Sequence, residues 1–292
     1  IDHVSTVFSA SASWIADSIT ANKAAMVVAR PAANYSRDLT PPILADAVLD
    51  LDSGILTLVA DEPLRAQDSN ASYFRVSARP DGRGAFVDID AASQLAPDAP
   101  DGTRLFFPLD CKTLDALKMW SPLTTYVSHT PSRFSTGGGL VDMSGNSLWP
   151  LNGTGNASVL VSVVVDETPP IFIGFDLESR GDRNVTLRFD EPIIAASLDG
   201  TQWYLQRAAA ASDGLELRGL AAHGPAARKL VAGISSDARA TLEADMSLGT
   251  SQATSYIRPI SPSAGVDAAG NGITSVTDGA AVSLGPRLLS FT

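Results

Sequence analysis

Short runs in which apolar and polar residues alternate, punctuated by Gly, Pro and Asp, recur along the chain. Ile55-Leu56-Thr57-Leu58-Val59 and Val185-Thr186-Leu187-Arg188-Phe189 are rich in β-favouring residues, and each is ended by acidic residues and a proline. Tyr73-Phe74-Arg75-Val76-Ser77, Trp203-Tyr204-Leu205-Gln206, Ala85-Phe86-Val87-Asp88-Ile89, Tyr126-Val127-Ser128 and the run from Val159 to Val165 add further short strands between turn signals. Two segments break this period, Thr113 to Trp120 and Ala240 to Met246, and each predicts a turn or two of helix on a crossover before a late strand. Many short strands with turns between them predict an all-β protein built of sandwiches.

The pattern also repeats. Thr40-Pro41-Pro42, Asp61-Glu62-Pro63, Tyr126 and Asp142-Met143-Ser144-Gly145-Asn146 return as Thr168-Pro169-Pro170, Asp190-Glu191-Pro192, Tyr256 and Asp267-Ala268-Ala269-Gly270-Asn271. The Pro pair stands 20 residues before the Asp-Glu-Pro in the first copy (41 to 61) and 21 in the second (169 to 190); from there to the Asp-x-x-Gly-Asn the intervals are 81 and 77. Ordered landmarks at matched spacing predict a tandem array. Pro286-Arg287-Leu288-Leu289-Ser290-Phe291 lines up with Pro170 to Phe175, and Trp14 to Asp17 with Asn22 stands where a closing Asp-x-x-Gly-Asn is due. The expected division is therefore 1–38 as the tail of one unit, 39–167 and 168–284 as complete units, and 285–292 as the opening strand of another, a slice of a longer protein.

Each complete unit is long enough to bury its own core. The net charge is -11, from 21 Lys+Arg against 32 Asp+Glu. With no basic run to track phosphates, this argues against nucleic acid and anionic membranes as partners. The longest apolar stretch, Val159 to Val165, falls far short of the ~20 residues of a membrane helix. Cys111 is the single cysteine, so the chain forms no internal disulfide; the residue reads either as a reactive thiol beside Lys112 or as a small buried side chain.

Asparagine speaks to the compartment. Asn34, Asn70, Asn152, Asn156 and Asn184 each begin an Asn-x-Ser/Thr acceptor, five of the eight asparagines in the chain. That enrichment predicts a secreted, N-glycosylated eukaryotic protein, against the plainer reading of a polar Ser/Thr-rich surface.

The order Pro-Pro, a strand running into an acidic pair and proline, a Tyr-initiated strand, then Val-Asp-x-x-Gly-Asn resembles the bacterial-type immunoglobulin-like repeats of tandem surface adhesins. Leu187 to Pro192 matches an early strand and its exit in that family, Thr254 to Ile257 the strand after the crossover, and Gly265 to Asn271 the turn into the last strand. The resemblance implies tandem immunoglobulin-like sandwiches in an elongated array; it says little about a ligand, since one sandwich serves many functions. Gly137-Gly138-Gly139 is expected to lengthen the loop before Asp142 in the first copy.

Roles for the repeated residues follow from their chemistry. A Pro pair stiffens the joint between units. In Asp142 to Asn146 and Asp267 to Asn271, the aspartate is expected to hold backbone N–H groups while Gly and Asn accept positive φ. Tyr126 and Tyr256 resemble the tyrosine corner, with the hydroxyl bonded back to the backbone. The competing use of the acids is calcium: Asp61, Glu62, Asp166, Glu167, Asp190 and Glu191 fall near strand ends and linkers, where ligands from two units meet, although Asp50-Leu51-Asp52 is only a fragment of a calcium loop.

Catalytic patterns are missing. His3, His129 and His223 are isolated, no Gly-x-Ser-x-Gly or His-Glu-x-x-His is present, and Asn152-Gly153-Thr154-Gly155-Asn156 leads into a strand rather than a helix. The reading is a non-catalytic extracellular structural or adhesive glycoprotein segment, a spacer, fibre or surface coat whose partners are other subunits and its own N-linked glycans. An Arg-over-Lys and Ala-rich composition with these acceptors resembles the large surface glycoproteins of green-algal flagella, mastigoneme subunits and flagellar membrane glycoproteins among them. The alternatives are a carbohydrate-binding or accessory module of a cell-wall enzyme, which an aromatic platform would favour, and a calcium-rigidified adhesin.

Overall fold

A computed structural model of the chain describes residues 7–10, 27–31, 36–78, 85–120, 133–136, 138–151, 159–178, 184–211, 214–245 and 247–283. They form an all-β structure with two α-helices. Strands β1 (Val7–Ala10) and β2 (Val27–Pro31) pair antiparallel as a separate hairpin. Beyond them the apolar residues collect into two cores, one drawn from residues 44–161 and the other from 172–273, so each sequence copy folds around its own centre.

The first unit runs β3 (Leu44–Asp50), β4 (Ile55–Leu64), β5 (Phe74–Ser77), β6 (Phe86–Asp88), β7 (Gly102–Pro108), α1 (Cys111–Lys118), β8 (Arg133–Thr136) and β9 (Val159–Val164). Its strands hydrogen-bond in the order β6-β5-β8-β9-β3-β4-β7, with β9 antiparallel to β8 and parallel to β3. Phe74 on β5 nevertheless meets Phe107 on β7 edge-on, 5.1 Å between centroids. Strands so far apart in the ladder touch only because the sheet turns back on itself into two facing layers.

The second unit runs β10 (Phe172–Leu177), β11 (Val185–Ile193), β12 (Trp203–Gln206), β13 (Leu215–Glu216), β14 (Ala221–Ala222), β15 (Ala227–Gly233), α2 (Ser236–Ala244), β16 (Tyr256–Pro259) and β17 (Val282–Ser283). Here two sheets are separate, β10-β11-β15-β14 and β13-β12-β16-β17. Trp203 from one lies fully buried against Phe172 of the other, 5.1 Å between centroids, with its indole N–H donated to the Ala264 carbonyl.

Both crossover helices form where the sequence breaks its alternation. Asp110 caps α1 by accepting from the Lys112 and Thr113 amides, and Ser235 caps α2 through Ala238 N. Each helix buries one leucine, Leu117 and Leu242, at the same distance from its cap. Cys111, the first residue of α1, is exposed, which removes the reading as a small buried side chain.

Three details differ from what the sequence predicts. The strands do not stop at the Asp-Glu-Pro: β4 continues to Leu64 and β11 to Ile193, and the ladders to β7 and β15 skip between Val59 and Leu64 and between Arg188 and Ile193. Proline donates no hydrogen bond, so the strand leaves one ladder there and bridges to the closing turn, Leu64 to Asp142 and Ile193 to Asp267. The second change concerns tyrosine. Ser77 pairs with Arg133 on β8 as Gln206 pairs with Tyr256 on β16, so Arg133 occupies the place of Tyr256. Tyr126 lies outside the described residues, along with Asn34, Asn152, Asn156, His3 and His129. The Gly137-Gly138-Gly139 stretch does not lengthen its loop either: Thr136 to Asp142 spans 6 residues, against 8 from Pro259 to Asp267.

Candidate functional site at the unit junction

The Asp-x-x-Gly-Asn turns are the first layer of the site. Asp142 Oδ1 accepts the Ser144 and Asn146 amides at 2.8 and 2.7 Å, and Asp267 Oδ1 accepts the Gly270 and Asn271 amides at 2.7 and 2.8 Å. Gly145 and Gly270 supply φ of 90° and 97°, as the turn requires. The closing asparagine has a task the sequence did not reveal. Asn146 Nδ2 donates to the carbonyls of Asp38 and Thr40, and Asn271 Nδ2 to that of Asp166 at 3.0 Å, so each turn grips the linker that leads into its own unit.

The acidic pairs divide their labour. Asp61 accepts the Ile43 amide and Asp190 the Ile171 amide, both at 2.7 Å, stapling the residue after the Pro pair. These two are strand staples, not members of a carboxylate cluster. Glu62 and Glu191 point the other way, because the strand has left its ladder. They meet the buried turn aspartate and the linker aspartate four residues before the second proline, giving two equivalent triads: Asp38, Glu62 and Asp142, and Asp166, Glu191 and Asp267. Of the six calcium candidates, Glu62, Asp166 and Glu191 thus enter triads and Asp61 and Asp190 do not. Among the described residues Glu167 is engaged only through its backbone amide, donated to Asp52.

The second triad is filled by a side chain of the first unit. Lys118, at the end of α1, places Nζ 2.7 Å from Asp166 Oδ2 and 2.6 Å from Glu191 Oε2, with the three side chains only 11%, 4% and 7% exposed. Burial opposes the ammonium, but its hydrogen bonds to Asp166 and Glu191 outweigh that and raise its pKa. Burial, with the Asp166 and Asp267 carboxylates, pushes Glu191 up to about 7 despite the lysine. One cation facing three carboxylates leaves surplus negative charge, and Glu191 is where a proton relieves it. An ammonium seated in the triad takes the place a calcium ion would need.

Two further sets of contacts, one made by Asp115 and one by Asp52, fix the joint. Three residues before Lys118 on the same helix, Asp115 receives both Nε and Nη2 of Arg228 on β15, at 2.6 and 2.7 Å. Arg228 Nη1 also donates to the Asp190 carbonyl. At the β3–β4 turn, Asp52 Oδ1 accepts Thr168 Oγ1 at 2.7 Å and the Glu167 amide at 3.1 Å. Those bonds hold the Asp52 carboxyl below the usual range. Asp50-Leu51-Asp52 is explained in the same place: Asp50 caps the turn by accepting the Asp52 and Ser53 amides. A cavity of about 190 Å³ lies at the joint, lined by Leu51, Lys118, Asp166, Glu191 and Asp267 among others.

The remaining sequence candidates are dispersed. Asn70 caps a short 3-10 turn, its Oδ1 accepting Ser72 N at 3.0 Å and Ser72 Oγ at 2.7 Å; Asp199 does the same with Thr201 in the second unit. The Asn70 acceptor tripeptide is therefore also a structural cap that an aspartate fills elsewhere. Asn184 precedes β11 and is half-buried. Among the described residues no hydrogen bond reaches the Tyr256 hydroxyl. His223 is exposed between β14 and β15. No helix among the described residues is long and apolar enough to cross a membrane. No protein-family model matches the chain, and no curated protein sequence is similar to it.

Proposed function

We propose that this chain is part of an extracellular tandem array of immunoglobulin-like sandwiches whose role is mechanical: a non-catalytic, N-glycosylated spacer, fibre or surface-coat segment. The observation that carries the reading is the joint, where a short Pro-Pro linker is tied to the first unit by Asp52 and to the second by Asn271, and a buried lysine crosses between units. Such a joint resists bending, which a spacer needs and a flexibly tethered catalytic module does not. The strand order and the facing layers support immunoglobulin-like units. Composition and acceptor tripeptides favour a eukaryotic cell surface, with the green-algal flagellum as the setting they resemble.

Small-angle scattering of the chain tests the mechanical reading: a rod-like envelope with one preferred joint angle is expected, and a compact envelope or a broad spread of angles contradicts it. Glycopeptide mapping of native material after glycosidase release in heavy water tests the compartment. At least two of the five acceptors should carry sugar, and five bare asparagines would overturn the secreted reading.

One observation favours the carbohydrate-binding alternative. Tyr73 and Trp149, 53% and 60% exposed, line one groove of the first unit together with Asp68 and Asn70. Exposed aromatic faces beside polar groups suit sugar rings. Binding of soluble cell-wall oligosaccharides that is lost in Trp149→Ala would move the function to that reading.

A further inference from the structure

The two triads are built alike, and one of them shows what they hold. Asp38, Glu62 and Asp142 occupy the places of Asp166, Glu191 and Asp267, with carboxylate oxygens within 4.8 Å of one another in each set. Both linker aspartates accept the amide two residues on, Thr40 and Thr168, and both turn asparagines grip the linker backbone. In the second triad the occupant is the ammonium of Lys118, delivered by the crossover helix of the unit ahead. In the first, no cation among the described residues reaches Glu62. Burial, then the Asp142, Asp38 and Asp61 carboxylates, raises its pKa.

The oxygens still free in the first triad suit an ammonium better than a metal. Asp142 Oδ1 accepts two amides and its Oδ2 the Asn146 side chain at 2.7 Å, while Asp38 Oδ1 accepts Thr40 N. That leaves Asp38 Oδ2 and the Glu62 carboxylate. A calcium ion takes about six to eight oxygens, whereas an ammonium has three hydrogens to donate. We propose that Asp38, Glu62 and Asp142 form a socket for a lysine ammonium at the end of the crossover helix of another unit of this type, docked as Lys118 docks on the second unit. This rests on the array reading. It also says which units fit: Lys118 directly follows the buried Leu117 in α1, its place after Leu242 in α2 is taken by Glu243, and a carboxylate there would be repelled by the triad. Neither described helix is a free donor, since Lys118 is already engaged; the partner is a lysine-bearing unit outside the described residues.

The test is zero-length carbodiimide cross-linking of the full-length native protein, with the Lys118 to Glu191 or Asp166 link as internal reference. The expected result is a link from Glu62 or Asp38 to a lysine on another unit's crossover helix, in yield within about threefold of the reference. A link to Lys23, or the reference link alone, overturns the socket. A second measurement needs no cross-linker: Glu62→Lys should speed proteolytic cleavage around residues 36–42 at least tenfold, as Glu191→Lys should around 166–170, and an unchanged rate overturns the proposal. Calorimetric titration with calcium chloride that shows submillimolar binding abolished by Glu62→Gln would replace the lysine by a metal. If the native chain carries a unit ahead of residue 38 and no link forms, the socket fails while the array stands. If a link forms to a lysine of a separate chain, the socket stands and the single-chain array fails.

Discussion

The two units share their backbone staples and differ in their junction charges. Asp61 and Asp190 hold the strand after the Pro pair, Asp142 and Asp267 close their turns, and Asn70 and Asp199 cap the same 3-10 turn with Ser72 and Thr201. At the surfaces that meet a neighbour the equivalence lapses. The position of Lys118 becomes Glu243, that of Asp115 becomes Ala240, and that of Arg228 on β15 is Thr103 on β7. A repeat can thus keep one fold while giving each joint its own complement of charges. Like charges brought together at a wrong joint are a means of fixing the order of units.

The largest effect should come from unplugging the filled triad. Lys118→Met keeps the length of the side chain and leaves Asp166, Glu191 and Asp267 buried without a cation. The cost should be about 3–5 kcal/mol in urea denaturation, expressed at the joint and in the second unit. Glu191→Gln added to it should recover part of that loss by removing one of the opposed charges. Equal stability of Lys118→Met and wild type would mean that the buried ion pair does not hold the joint.

Next in size are the turn aspartates. Asp142→Ala and Asp267→Ala each strand two backbone amides and an asparagine side chain, so each should cost about 1–3 kcal/mol. Differential scanning calorimetry should show the first change confined to the first unit and the second to the second; a loss spread over both would deny that the cores are independent.

The third effect is a pH dependence specific to the filled triad. Glu191 titrates near 7 when docked, above its ordinary value. The docked state therefore takes up a proton as pH falls from about 7 to about 4.5, and this contribution to docking is greatest at the acid end and lost as pH rises through 7. Lys118, with its pKa raised, keeps its charge throughout. The stability of wild type relative to Glu191→Gln should accordingly decline between pH 5 and pH 8, by no more than about 1.4 kcal/mol per unit. A difference that is flat, or that grows with pH, contradicts the assignment. The smallest effect is at Tyr256→Phe, where no hydrogen bond is lost and the change should stay within about 0.5 kcal/mol.

Much of the fold was legible because its staples are residues with few substitutes. Pro-Pro, Asp-Glu-Pro and Asp-x-x-Gly-Asn recur since each meets a backbone need, and they marked both units and both turns, while the breaks in alternation marked both crossover helices. Register was harder. Tyr126 matched Tyr256 by identity, whereas the ladder puts Arg133 there, and chemistry unlike its counterpart leaves no trace in a repeat search. Strand β7 escaped notice because exposed Phe106 sits between buried Leu105 and Phe107 and hides the alternation. The junction was nearly invisible. Lys118 looks like any helix-surface lysine, and the triads join residues from a linker, a strand exit and a turn. One signal was available: an aspartate four residues before the second proline in both copies, Asp38 and Asp166, alongside the landmarks already in view.

A lysine from one unit, seated among the carboxylates of the next, fixes the angle between them. Double electron–electron resonance between spin labels at exposed positions 98 and 241, in a Cys111→Ser background, reports how tightly that angle is held through the spread of the distance between the labels. A single narrow distance distribution is expected for the otherwise unaltered chain, and a broad one for Lys118→Glu, which sets a fourth carboxylate against the triad. Distributions equally broad in both, or equally narrow in both, would contradict it.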